Sequence, residues 1–483
     1  MIKERLWVLA LAVGALALFY VLFFPKPQPE LNSSALPLSS ESRPEGYLAV
    51  WRWLAEQRIP TASLRYRYDR LPALLSKPTG NLLLLSMPQR VPARAAETAA
   101  LEKWKTFATL YPDYFQASGA YAFFAWQNAN RYDEAIQLLT KTAVAQNPNR
   151  GISDYNLGAL YVVKERYADA LASFERADQL GSAQHKEYYA SAYAAQRQFE
   201  KAASTLTSGS ASGLPTEDID VFITRATFAA DEGRFDGAAA TIAAATREAA
   251  QLGAKKGAHF KAIELVLREL STPAQELLPD LRALLAEQAV KLRATDDADR
   301  ADTEFRVLLV AYFAAHLNDA KLADEALSKD LSLARSGGYP TLDQMLKIAE
   351  AERARLGGDN EKAIGEMKAL VASGTELCLV HVALMDALAA AGQNAAALEE
   401  AKWLASHRGR AYIEANMSRL LTLPNVVQSD LALLRAAELA AATGAKEESA
   451  RYLAQFRAAW PNAGDLSFIR PRLAALATRT PAG

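Results

Sequence analysis

The stretch Leu157–Ala177, LGALYVVKERYADALASFERA, decides how most of this chain is read. Its apolar positions recur at helical spacing on either side of the polar break Lys164-Glu165-Arg166, the pattern of two helices joined by a tight turn. Leu157, Gly158 and Tyr161 lie on the first helix, and Tyr167, Ala170, Phe174 and Ala177 on the second. Small residues at these positions let the paired helices approach closely, while the large ones fill the groove between neighbouring hairpins. The pattern recurs along the chain. Trp126, Tyr132, Ala135 and Leu139 hold equivalent places one unit earlier, Tyr193, Phe199, Ala202 and Leu206 one unit later, and Phe235, Ala238 and Ile242 continue the series. From Tyr132 the aromatic positions step by 35, 32 and 36 residues, which marks a stack of like units.

The leucine–glycine pair, the tyrosine, and the small and aromatic positions that follow resemble the tetratricopeptide repeat. The resemblance implies an α-α superhelix of helical hairpins over residues 105–475, well matched in 105–250 and divergent in 251–475, with a short tail at 476–483. The divergent copies are NDAKLADEAL at 318–327, DNEKAIGEMKAL at 359–370, QNAAALEEAKWL at 393–404 and AKEESARYLAQF at 445–456. Between Phe235 and Ala320 there is room for one more hairpin and an irregular element, including 255–270 and 277–294. Breakers at 207–215, 271–273, 336–340 and 357–358 are expected between helices. An unrelated alanine-rich bundle is the competing reading.

The composition points away from chemistry. The 483 residues carry 54 basic and 55 acidic side chains, a net charge of −1, with 51% hydrophobic residues, which excludes a basic nucleic-acid binder and a wholly disordered chain. A single cysteine, Cys378, excludes a disulfide framework and a thiolate metal cluster. GSASG at 209–213 has Ala211 where a nucleophile elbow needs serine, and no phosphate-cradling glycine loop occurs. The five histidines are never paired at i, i+4. His381 follows Cys378 by three residues, but a buried thiol beside an ordinary histidine is the plainer reading. The acidic run DDADRAD at 296–302 lacks the glycine turn of a calcium loop and reads as a solvated helix start. No enzymatic activity, cofactor or metal is expected.

The first hundred residues differ. Leu6–Phe24 is 19 residues without a charge, long enough to nearly span a bilayer, and is read as an uncleaved membrane anchor; a cleaved signal peptide is the competing reading. Lys3 and Arg5 before the span place the N-terminus in the cytoplasm and the bulk of the chain outside it, a single-pass inner-membrane topology. Prolines and serines make 25–44 an extended linker. Residues 45–104 read as a small α/β element, with a helix at 45–57 and short strands at 61–67 and 81–87; a helical reading of the leucine run 82–85 stays open. The segments SSESRPEGYLAVWRWLAEQRIP, RYDRL and PTGNLLLLSMPQRVPARAAE, within residues 39–104, resemble the start of a bacterial single-span family of unknown function. That resemblance implies an extracytoplasmic domain similar to glutamine amidotransferases and association with MoxR-type ATPases. The further strands of that domain are missing after Trp104, and no cysteine stands where its nucleophile would be.

A stack of hairpins offers a concave face built from the first helix of each unit. The positions expected to face it are Ala120, Tyr121, Phe124 and Gln127, then Tyr155, Ala159 and Val162, then Glu187, Ser191 and Ala194. An apolar groove around Phe124 and Tyr155 that binds a segment of a partner protein is one expectation; coverage of the same side chains by another part of the chain is the other. The function expected is a membrane-anchored scaffold for protein–protein interactions in the bacterial envelope. The alternative is a non-catalytic accessory subunit of an envelope enzyme or MoxR-ATPase system. Neither predicts nucleic-acid binding, and the oligomeric state is not legible.

Overall fold

The computed structural model describes residues 97–479, apart from 111–114, 148, 182–185, 208–217, 253, 295–296 and 415–418. The expected anchor Leu6–Phe24, the linker and nearly all of the α/β element lie outside the described residues. Residues 97–104, read above as the end of that element, instead open the first described helix, so the helical unit begins at about Ala96 rather than 105. Among the described residues there are 21 α-helices and no strand, and no helix is long and apolar enough to cross a membrane.

The helices pack as successive antiparallel neighbours. Helix α1 (Glu97–Leu110) lies on α2 (Phe115–Gln127), which pairs with α3 (Tyr132–Thr142). The next pairs are α4 (Arg150–Val163) with α5 (Tyr167–Gln179), α6 (Glu187–Ala195) with α7 (Phe199–Thr207), and α8 (Asp218–Asp231) with α9 (Phe235–Leu252). Helices α10 (Ala254–Ser271) and α11 (Ala274–Ala294) occupy the interval where the sequence left room for one more hairpin and an irregular element. Then come α12 (Asp297–His316) with α13 (Ala320–Leu327), α14 (Pro340–Leu356) with α15 (Asn360–Ser373), and α16 (Cys378–Ala390) with α17 (Asn394–Ser406). After the short α18 (Arg408–Ile413), α19 (Thr422–Ala442) pairs with α20 (Lys446–Ala459), and α21 (Arg470–Arg479) follows. From Asp297 on, the acidic run opens α12, and each divergent sequence copy forms the second helix of a hairpin.

Eight hairpins share one turn. A residue in the left-handed region, φ between 51° and 86°, stands two places before the second helix: Asn130, Glu165, Arg197, Gly233, Asn318, Gly358, Gly392 and Gly444. In seven of them the next amide donates to the carbonyl five positions back, as Arg166 does to Tyr161 and Gln393 to Leu388, both at 2.9 Å. These bonds satisfy carbonyls that a helix end leaves open, and they reverse the chain in the same way each time. Within the hairpins the small positions do what their spacing requires. Ala170 and Ala177 are fully buried, and a Cβ at Gly158 would stand 2.8 Å from the Phe174 ring, so α4 and α5 approach this closely only with glycine there.

The array does not stay open. Thr98 donates to the Gly338 carbonyl, Asn130 to the carbonyls of Thr375 and Glu376, the Gly409 amide to Glu165, Arg197 to Asp430, and the Trp460 indole to the Asp231 carbonyl. The partners are 240, 245, 244, 233 and 229 residues apart in turn. A near-constant offset of this size, about seven periods of 34 residues, means that the chain returns beside itself in parallel register. Helices α12, α16 and α19 are buried on nearly every side, α12 and α16 by the helices that precede and follow them and α19 also by α8 and α10, and each is apolar around most of its circumference.

Candidate functional site

The concave face of the first hairpins was the expected site, and its residues fall into two groups. Tyr121 is buried and its hydroxyl donates to Glu134; burial and that carboxylate raise its pKa. Phe124 is half-buried, stacked on Trp104 at 6.3 Å and edge-on to Phe123. Gln127 donates to the Tyr188 hydroxyl at 3.1 Å, and Tyr155 lies between Phe174 (5.4 Å) and Tyr188 (5.8 Å). With Trp126, 5.8 Å from Tyr188, these rings form a continuous aromatic face across α1, α2, α4 and α6. Phe123 at 42% and Ile152 at 54% are the large apolar side chains that α2 and α4 leave to solvent.

Ala159 and Val162 belong to the second group, with Ser191 and Ala194, and all four are fully buried. What covers this part of the face is the chain's own segment 408–414. Helix α18 packs on α4 and α6, and its Ala411, Tyr412 and Ile413 join the apolar core of the first half together with Val426. The approach is as close as backbone allows. A Cβ at Gly409 would stand 2.0 Å from the Val162 carbonyl oxygen, so no other residue fits without displacing α18. The same glycine donates its amide to Glu165 at 2.9 Å. Burial pushes the Glu165 carboxyl up to about 7, against the Gly409 amide and the Arg408 charge.

Arg408 holds the segment at its other side. Its guanidinium meets both Asp231 oxygens, at 2.9 and 2.7 Å, reaches Asp430 at 2.6 Å, and donates to the Ala195 carbonyl at 3.1 Å. Arg197 also reaches both aspartates, and the Tyr412 hydroxyl and the Trp460 indole complete their hydrogen bonding. Two guanidinium groups lie against two buried carboxyl groups, and opposite charge together with hydrogen bonds offsets the cost of keeping the cluster out of water. Burial opposes ionisation of Asp231, yet the two arginines hold it below the usual carboxylate range. Burial and the Asp231 charge push Asp430 up to about 8.

Beyond Gly409 a second polar cluster surrounds Arg410, which bonds Glu376 at 3.0 Å and lies over the rings of Tyr132 and Trp403, 5.2 Å from each. Trp403 is stacked between His381 (3.4 Å) and His407 (4.1 Å). A cleft of about 220 Å³ opens here, lined by Tyr132, Lys164, Glu165, Trp403, His407 and Arg410 among others. The chemistry of Cys378 and His381 is now plain. The thiol is buried, and burial and Glu414 raise its pKa well above the ordinary value, the reverse of what a nucleophilic thiol requires. His381 has one nitrogen 2.7 Å from Glu400 and the other 3.5 Å from Glu376; these carboxylates overcome burial and raise its pKa. Sequence reasoning missed Asp231, Arg408, Gly409 and Asp430 because each lies outside the repeat positions. The signal it could have used is the pair of charged turn residues, Glu165 and Arg197, at places where the hairpins at 233, 358, 392 and 444 have glycine.

No protein-family model and no curated protein matches this chain.

Proposed function

We propose that the chain is a membrane-anchored scaffold of tetratricopeptide type, held in the bacterial inner membrane by Leu6–Phe24 with its bulk outside the cytoplasm. It captures a partner protein through the aromatic face around Tyr121, Phe124, Gln127 and Tyr155. The observation that carries this reading is that face itself: a run of rings over four helices, with Phe123 of that run turned to solvent. Aromatic side chains supply large contact areas at small entropic cost, which suits recognition by a near-neutral protein that has no strong field to steer a partner. The recurring turn and the glycine seat beneath Phe174 support the repeat type. Ala159 and Val162, which the segment 408–414 covers, are not part of the binding face in this reading.

The test is co-purification from native membranes of the wild type and of a Phe123→Glu, Phe124→Glu double variant, with mass-spectrometric identification. Loss of a stoichiometric partner at unchanged thermal unfolding supports the reading; undiminished capture by a folded variant ends it. A reporter fused after Gly483 should be active outside the cytoplasm, and cytoplasmic activity refutes the topology. The reading as an accessory subunit of an ATPase system rests on the resemblance within residues 39–104, and the identity of the captured protein distinguishes it.

A further inference from the structure

His316, at the end of α12, Glu352 of α14 and Asp386 of α16 each bring a ligand atom within 4.8 Å of the other two. Hairpin packing does not require this: three first helices meet here through polar groups inside an otherwise apolar stack. The imidazole is oriented from its far side, where Nδ1 lies 3.4 Å from Glu269 of α10. Its Nε2 is 3.3 Å from a Glu352 oxygen, yet it is buried and makes no hydrogen bond, so the carboxylate is near without being in line. Two donor atoms bound side by side to one ion at about 2.0–2.2 Å stand roughly 3.0–3.5 Å apart, with no need for such alignment.

A separate observation comes from Tyr312. One helical turn before His316, with its ring 4.3 Å from the imidazole, it is 3% exposed, and its buried hydroxyl has no hydrogen-bond partner. The charges that bear on that hydroxyl are those of Glu352, Glu269 and Asp386, with Arg355 opposing them. A buried hydroxyl without a partner costs about 1–3 kcal/mol, and a water bound to an ion among these carboxylates would satisfy it. The outer contacts are those of a metal centre as well. Arg355 bonds Glu352 Oε2, the oxygen nearest His316, at 2.8 and 2.9 Å, which leaves Oε1 for an ion, and Arg435 lies 3.8 Å from Asp386. Asp386 is 28% exposed, which gives an ion a way in.

We propose that His316, Glu352 and Asp386 bind one zinc-type divalent cation, through an imidazole nitrogen and two carboxylates, with Glu269 fixing the imidazole. One nitrogen and two oxygens suit zinc or manganese and are too few for calcium. The ion ties α12, α14 and α16 together across three consecutive hairpins. The competing arrangement uses the same groups without a metal: His316, Arg355 and Arg435 as three cations against Glu269, Glu352 and Asp386.

The experiment uses the purified full-length chain, stripped with EDTA, dialysed, and titrated with zinc chloride or manganese chloride. Metal content after desalting and the unfolding midpoint are both followed. The expected result is one metal per chain and a midpoint that rises with free metal. Asp386→Asn and His316→Gln should each weaken binding at least roughly 10-fold, and Glu269→Gln should weaken it by a similar factor through the imidazole. Asp386 is partly exposed, so its variant keeps the test open if His316→Gln does not fold. Failure of the wild type to retain stoichiometric metal, or equal retention by the variants, overturns the site in favour of the six-membered ion network.

Discussion

Three hairpin turns of the first half and three of the second share a left-handed residue and differ in what that residue is. At 358, 392 and 444 the left-handed residue is glycine, and a Cβ built there would meet nothing within 4 Å. At 130, 165 and 197 it is Asn, Glu and Arg, and each of these side chains bonds the far half of the chain. A side chain in this region costs about 1–2 kcal/mol that glycine does not incur, less for asparagine. At 130, 165 and 197 the strained residue has a second task. Among these six turns glycine serves where the turn only reverses the chain, and strain is accepted where the residue also bonds a neighbour; Gly233, whose missing Cβ makes room for the Trp460 ring, and Asn318 stand outside this division.

The largest expected effect breaks the contact between the halves. Asp231→Ala leaves Arg408 and Arg197 facing Asp430 alone and should cost about 4 kcal/mol, read from urea unfolding of the full chain. A loss below about 1 kcal/mol would show that the cluster does not couple the halves. Gly409→Val should follow at about 3 kcal/mol, because the new side chain meets the Val162 carbonyl. Hydrogen exchange should then accelerate in 408–413 and in α4, and unchanged exchange there would contradict the packing described. Gly392→Ala tests the other class of turn. It should cost about 1 kcal/mol through backbone strain and leave exchange in 408–413 unaltered.

The smallest effect is one of pH. The folded-state pKa of Glu165, about 7, lies above its ordinary value of 4.5, so the folded chain holds a proton that the unfolded chain releases between these values. The stabilisation is complete below pH 4.5 and is lost as pH rises to about 7. Glu165→Gln should flatten the decline in unfolding midpoint over that window, by on the order of 1 kcal/mol. An identical profile in the variant would assign the decline to other groups.

The hairpins were legible because their packing is local. Gly158, Ala170, Phe174 and Ala177 lie within 20 residues, and close approach permits few residue types at such places. The return of the chain was not legible. Gly409 is one ordinary glycine among 24, and nothing near it in sequence announces that Val162 will stand against it. Asp231 and Arg408 meet across 177 residues, and charge pairs leave no periodic trace. Of the expected site residues, Phe124, Gln127 and Tyr155 join one run of rings, Tyr121 is buried with its hydroxyl on Glu134, and Ala159 and Val162 serve the interior. The His316 cluster escaped for a related reason: its members come one from each of three hairpins, and a search for paired histidines looks along a single helix.

The long offset between partners also sets a schedule. During synthesis at about 5–20 residues per second, α4 and α6 are complete while the segment that will cover Ala159, Val162 and Ala194 is still more than 200 residues from being made. For roughly 10–50 seconds the nascent chain carries an uncovered alanine- and valine-lined face, and it depends on its surroundings to keep that face from the wrong neighbour until residue 408 arrives.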